Sequence, residues 1–198
     1  MTQQNKRQIQ YNAARQALLS ASLELFVRKG YTGTKIHDIT DAAHVSPGLL
    51  FHYFSSKEEI LQELMNKVNY EFDGIATLLQ SNDNPQKTLT TIASMILNSF
   101  SDDESKYMFL LVNQVLTLSD MPLAVQSVGV HSQSVELSVR TIKTGQQAGV
   151  FRTGDPLSLS VAFWGALQGI AEMLVWKPGT VVPSIDAVMG ILLVRGSS

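Results

Sequence analysis

Apolar residues recur three and four apart through nearly the whole chain, the period of an amphipathic helix and not of a strand. Ala14, Leu18, Ala21 and Leu25, widened by Phe26, lay an apolar stripe along a helix predicted over 8–29. Gly30 lies just past that stripe, and Arg28 and Lys29 occupy the last turn, as a helix C-terminus favours. Leu61, Leu64, Val68, Phe72, Ile75 and Leu79 mark a long helix over 57–80, and the turn-forming run 81–85 breaks it. Further helices are predicted up to about Phe100, then over 104–118, 123–148 and 156–176. A last one is predicted over 183–195, with Ile185, Val188, Met189 and Leu192 as its stripe. No stretch alternates with a period of two, so the expected fold is all-α, with about nine helices.

The stretch from Thr34 to Lys57 departs from this regular pattern in an informative way. Thr34 is a candidate N-cap, and Ile36, Ile39 and Ala43 give a short helix one apolar face. The break falls at His44-Val45, and His is among the few non-glycine residues that tolerate the left-handed backbone of a tight turn. A second short helix then opens with Ser46 as N-cap and Pro47 at its first position, where the missing N–H costs nothing. Val45 and Leu50 fill the two places of a hydrophobic staple. With Leu50 and Phe54 facing inward, Pro47, Gly48, Leu49, Phe51 and His52 turn outward. Glycine permits close backbone approach and apolar side chains can meet thymine methyls, so the pattern predicts a helix-turn-helix whose recognition helix begins after Ser46.

Phe26-Val27-Arg28-Lys29-Gly30-Tyr31, then Thr34, Ile39-Thr40, Ala42-Ala43-His44-Val45-Ser46 and Leu50-Phe51-His52-Tyr53-Phe54 together resemble the TetR family of transcriptional repressors. The pattern departs from the family at His44, where Gly is usual, at Leu49, where Thr is common, and at Phe51, where Tyr is usual. The resemblance implies a three-helix DNA-binding domain over 1–56 and a helical ligand-binding and dimerisation domain over 57–198. It implies that Thr34, Lys35, Tyr53 and Lys57 hold phosphates, and that Pro47, Gly48, Leu49, Phe51 and His52 face the major groove. It further implies a homodimer joined through the final two long helices. The corresponding function is a repressor released from a palindromic double-stranded DNA operator by a small ligand. A DNA-binding regulator that acts architecturally or through a protein partner, with no small-molecule effector, stands as the alternative.

Charge sharpens this picture. The chain has 198 residues and a net charge of −2, but residues 1 to 57 carry seven Lys/Arg against three Asp/Glu, leaving the rest acidic. A basic first quarter on an acidic remainder suits a chain that meets phosphates at one end. There is no Cys, which excludes disulfides and thiolate metal sites. His37, His44, His52 and His131 fall on no common face with carboxylates, so no metal is expected. Neither a glycine-rich phosphate loop nor a nucleophile elbow appears, so neither a cofactor nor an enzyme is expected. The opening MTQQNKRQIQ lacks the apolar core of a signal peptide, and a cytoplasmic protein is expected.

Residues 156–176 are apolar nearly all round and about as long as the ~20 residues that span a bilayer. Gln168, Glu172 and the lack of basic flanks on both sides argue against a membrane. A soluble helix of this kind must be covered on both sides. A second subunit meeting the smooth face of Gly165 and Gly169, with Ile185, Val188, Met189 and Leu192 beside it, is the simplest cover. Met95, Asn98, Tyr107, Phe109, Gln114, His131, Trp164 and Gln168 are candidates to line a cavity for a small, mostly apolar effector. Each of the large ones is equally suited to ordinary core.

Overall fold

The computed structural model describes residues 3–81, 84–117, 122, 130–177 and 179–194. Among them are nine helices. They are α1 (Gln3–Lys29), α2 (Ile36–Ala42), α3 (Pro47–Tyr53), α4 (Lys57–Ser81) and α5 (Pro85–Ser99), then α6 (Asp103–Thr117), α7 (Val130–Gln147), α8 (Pro156–Trp176) and α9 (Ile185–Met189). The fold is all-α, as the periodicity predicts. The first part of the helix expected over 123–148 lies outside the described residues up to 129, as do the side chains of Val68, Phe72 and His131.

Helix starts follow from local chemistry. Ser46, Asn84, Asp155 and Ser184 each accept, through the side chain, the backbone N–H three residues on, which pairs an otherwise orphaned donor. Pro47, Pro85 and Pro156 follow three of these caps, where proline lacks only an N–H that would have had no helical acceptor. At α2 the cap differs from expectation. Thr34 is not the N-cap; Lys35 is, and its N–H donates to the Asp38 carboxylate at 2.8 Å.

The chain divides into two compact units, Met1–Val68 with Leu111–Ser127, and Asn69–Leu110 with Val128–Ser198. In the first, α1, α2 and α3 pack on one another. Leu18, Leu19, Leu23 and Phe26 of α1 are buried, as are Ile39, Leu50, Phe54, Ile60, Leu61 and Leu64. The stripe on α1 is therefore shifted from the predicted one: Ala14, Ala21 and Leu25 are only half-buried, whereas Leu19, Ser22 and Leu23 are covered. A wider arc of α1 is enclosed than one stripe supplies, and Gln114 of α6 donates to the Val27 carbonyl at 3.0 Å within the same unit.

In the second unit α7 and α8 form the most extensive helix pair, and α5 packs against α7, α8 and α9. Trp164 Nε1 donates to Ser138 Oγ at 3.0 Å, Ser138 Oγ donates on to the Ser134 carbonyl at 2.6 Å, and Ser160 Oγ donates to the Val135 carbonyl at 3.0 Å. This buried chain of donors fixes the register of α8 on α7. The final helix is far shorter than its apolar spacing predicts. Gly190 caps α9, turns follow it, and Arg152 N donates to the Leu192 carbonyl at 2.8 Å, so that Leu193 forms an antiparallel bridge with Phe151. Val188, Met189 and Leu192 are buried in the protomer's own core.

Candidate functional site

The helix-turn-helix turn closes as its residues require. His44 has φ 54°, the one positive φ among the described non-glycine residues. It lets His44 N donate to the Asp41 carbonyl at 3.2 Å and Val45 N to the Thr40 carbonyl at 3.0 Å. Gly30 plays the corresponding part after α1, at φ 78°. On α3, Leu50 and Phe54 are buried, and Pro47, Gly48, Phe51 and His52 are exposed on the opposite side. Phe51 is 55% exposed, an unusual position for a phenylalanine with no partner to cover it. Leu49 is half-buried. A Cβ added at Gly48 would meet no heavy atom of the described residues within 4 Å, so none of them crowds the surface there.

The four residues placed at phosphates by resemblance fall into different surroundings. Lys35 is exposed at the start of α2. Tyr53 is half-buried, its ring 4.6 Å from that of Tyr11 and 5.5 Å from the His52 ring. Thr34 is buried, and its Oγ1 donates to the carbonyls of Gly30 at 2.8 Å and Leu25 at 3.2 Å, so its hydroxyl is turned into the fold and away from any phosphate. Lys57 Nζ likewise points inward, donating to the carbonyls of Tyr31 at 2.6 Å and Thr34 at 2.8 Å. Burial holds the pKa of this ammonium below the usual lysine range. Tyr11, on α1, belongs to the same surface, with its ring 6.1 Å from His52. An aromatic residue among the polar neighbours Gln8, Gln10 and Asn12 was the signal that could have singled it out.

Of the expected cavity residues, Met95 and Phe109 are brought together. With Ile75, Ile96, Ser99, Ser105 and Met108 they line a cavity of about 280 Å³. Among the described residues the lining is apolar apart from two serine hydroxyls and carries no charge. The others whose side chains are described lie elsewhere. Trp164 is committed to Ser138 in the α7–α8 seam, Gln114 belongs to the first unit, and Gln168 donates to Glu172 at 3.1 Å on α8. Asn98 is exposed and donates to Ser94 at 3.3 Å, and Tyr107 is half-buried and not in the lining.

α8 has two apolar sides. Phe163, Trp164, Leu167, Ala171 and Val175 are buried. Val161, Ala162, Gly165, Met173 and Trp176 are exposed, Val161 by 56% and Trp176 by 76%. By length and composition α8 could cross a membrane. One side is nonetheless packed on α7, and the Gln168–Glu172 pair lies along the helix. A Cβ at Gly165 or Gly169 would meet no atom of the described residues within 4 Å. Val188, Met189 and Leu192, expected beside these glycines at a subunit interface, are instead internal, because the chain turns at Gly190 and folds them inward; Ile185 is half-buried.

Residues 18–64 match the family described as bacterial regulatory proteins, tetR family. The HTH-type transcriptional repressor KstR2 of Mycobacterium tuberculosis is 27% identical over 157 residues, spanning 78% of this chain and 77% of its own. Among solved structures, the MbdR regulator from Azoarcus sp. CIB superposes with a TM-score of 0.73 at 21% identity, over 91% of this chain and 97% of that one. AibR, crystallised with isovaleryl coenzyme A and operator DNA, superposes with a TM-score of 0.63 at 19% identity, over 90% and 94%.

Proposed function

We propose that the chain belongs, by its N-terminal helix-turn-helix, to the TetR family of bacterial transcriptional regulators, and that it is a cytoplasmic, homodimeric repressor released from a palindromic operator by a small, mostly apolar molecule. Residues 1–56 read the DNA, and residues 57–198 hold the effector and the second protomer. Repression follows the naming of KstR2 as a repressor. The observation that carries DNA binding is the side of α3 that exposes Pro47, Gly48, Phe51 and His52 while Leu50 is buried beneath it. Phe51 is more than half exposed, and a phenylalanine there is suited to an apolar surface such as a thymine methyl. Leu49 flanks this set, Ser46 holds the helix start, and Lys35 and Tyr53 sit where they can approach phosphates.

The test is selection of duplexes from a random-sequence pool by the full chain, followed by affinity measurements on the winning duplex. A pseudo-palindrome with half-sites about one helical turn apart, or a multiple of it, is expected. Gly48→Glu places an anion against the duplex and should reduce affinity to the level of non-specific binding, about a thousandfold or more weaker. Unchanged affinity in Gly48→Glu would end the assignment of α3 as recognition helix.

The cavity of Ile75, Met95, Ile96, Ser99, Ser105, Met108 and Phe109 supports the effector part of the proposal. Its volume of about 280 Å³ is near the small end of the ~300–1,000 Å³ common for ligand sites. Its lining, apolar and uncharged among the described residues, favours a neutral, compact molecule able to hydrogen-bond one or two hydroxyls.

A further inference from the structure

Lys57 opens α4, and its side chain runs back to the turn between α1 and α2. Two of its three ammonium donors are used on backbone carbonyls, Tyr31 at 2.6 Å and Thr34 at 2.8 Å. The same ammonium stands 4.1 Å from the centroid of the Tyr31 ring, close enough for a cation–π contact. Those two carbonyls bracket a tight turn, since Thr34 N also donates to the Tyr31 carbonyl, at 3.2 Å. Thr34 is tied in the other direction by its hydroxyl, which donates to Gly30 and Leu25 at the end of α1. One residue therefore joins α1 to α4, and Lys57 supplies the second half of that joint. Two residues beyond it α2 begins, followed by α3.

To turn more than its third donor towards a phosphate, Lys57 would have to leave one or both carbonyls and the ring face. That would strip a partner from part-buried acceptors, which is costlier than never having made the bonds. We propose that Lys57 is a positioning residue, a strut that clasps the Tyr31–Thr34 turn to the first turn of α4 and so sets how α2 and α3 are presented, without neutralising a phosphate itself. This rests on the DNA-binding reading for its consequence but not for its geometry.

The test compares the wild-type full chain with Lys57→Met, which keeps most of the stem and deletes the donors. Each is titrated with the wild-type-selected duplex over a range of salt concentrations. Affinity is expected to fall roughly tenfold at every salt concentration, because the correctly presented state is less populated. The slope of log affinity against log salt should stay unchanged. A slope reduced by about 0.9, the loss of one phosphate contact, overturns the proposal. A second measurement needs no variant and no DNA. In wild-type protein labelled with acetic anhydride, Lys57 should react about tenfold more slowly than exposed Lys35, since its amine is released only by local opening. Adding the duplex should leave its rate unchanged. If Lys57 reacts as fast as Lys35 in the free protein, there is no strut. If no duplex is selected at all, the DNA-binding reading fails, and the labelling rate still decides the strut.

Discussion

Thr34 Oγ1 donates to two carbonyls at the end of α1, while its own carbonyl receives Lys57, so three elements meet on one small buried residue. Replacing it with valine keeps the branched shape and removes the donor, leaving both carbonyls short of a partner in a covered place. Thr34→Val should cost about 1–3 kcal/mol of unfolding free energy, read from the midpoint of urea denaturation. Thr34→Ser, which retains the hydroxyl, should recover a large part of that loss, and equal midpoints for wild type and Thr34→Val would show the bonds to be incidental. The sequence made Thr34 look like a helix cap because local pattern was all it offered. A threonine ahead of Ile36 fits that role, and the actual cap comes from within the helix, through Asp38 accepting the Lys35 N–H. Lys57 offers a related contrast. A lysine at a helix start next to a DNA-binding motif reads as a phosphate contact, and a turn 23 residues earlier in the chain accepts a hydrogen bond from it, which local pattern could not show.

At the level of elements, what could be read from sequence and what could not differ by how local the deciding interactions are. α8 was legible end to end, since Asp155 caps it, Pro156 opens it, and the run after Trp176 stops it. The turn at His44 was legible for the same reason. α9 was not, because the spacing of Ile185, Val188, Met189 and Leu192 fits a long helix equally well, and the competing partner lies at Phe151, far away in sequence. That junction yields a prediction. A Cβ on Gly145 would overlap the Phe151 ring, and Gly145 sits on rigid α7. Gly145→Ala should therefore destabilise by about 1–3 kcal/mol despite the better helix propensity of alanine, and a higher melting temperature would count against the packing described. The caps also set a pH dependence. Hydrogen bonds from the Ser158 side chain, then its backbone, hold the Asp155 carboxyl below the usual carboxylate range, and those from Ser55 do the same for Glu59. A carboxyl lowered in the folded state contributes stability that is complete above its ordinary value, near pH 4, and drains as pH falls through the lowered one. The gap in melting temperature between wild type and Asp155→Ala should accordingly be constant near neutrality and narrow in acid. A gap that widens below pH 4 would reverse the sign and discard this account.

For the whole molecule the open question is what covers the second apolar side of α8. Val161, Ala162, Gly165, Met173 and Trp176 together form an exposed apolar surface along one side of α8, the kind of surface that marks an interaction site. The two glycines make the middle of this surface smooth, and a second α8 can approach them closely. Because a Cβ at either glycine would meet no atom of the described residues within 4 Å, substitution there is expected to disturb assembly more than folding. Gly165→Leu and Gly169→Leu should leave helical content and the protomer's own packing near wild type, yet shift sedimentation from dimer to monomer. Loss of paired recognition helices then removes the advantage of holding two half-sites at once, which should weaken binding to the selected palindrome by about a hundredfold to ten-thousandfold. Binding to an isolated half-site should barely change. Met189→Ala and Leu192→Ala give the opposite pattern, since both residues are internal. Each should cost stability, about 2–5 kcal/mol, before it affects association. The two glycine variants thus test the interface and the two core variants control for damage to the fold. A wild-type chain already monomeric at micromolar concentration, or a Gly165→Leu variant that remains dimeric, would remove α8 as the joining surface and leave its exposed tryptophan to be explained by some other partner.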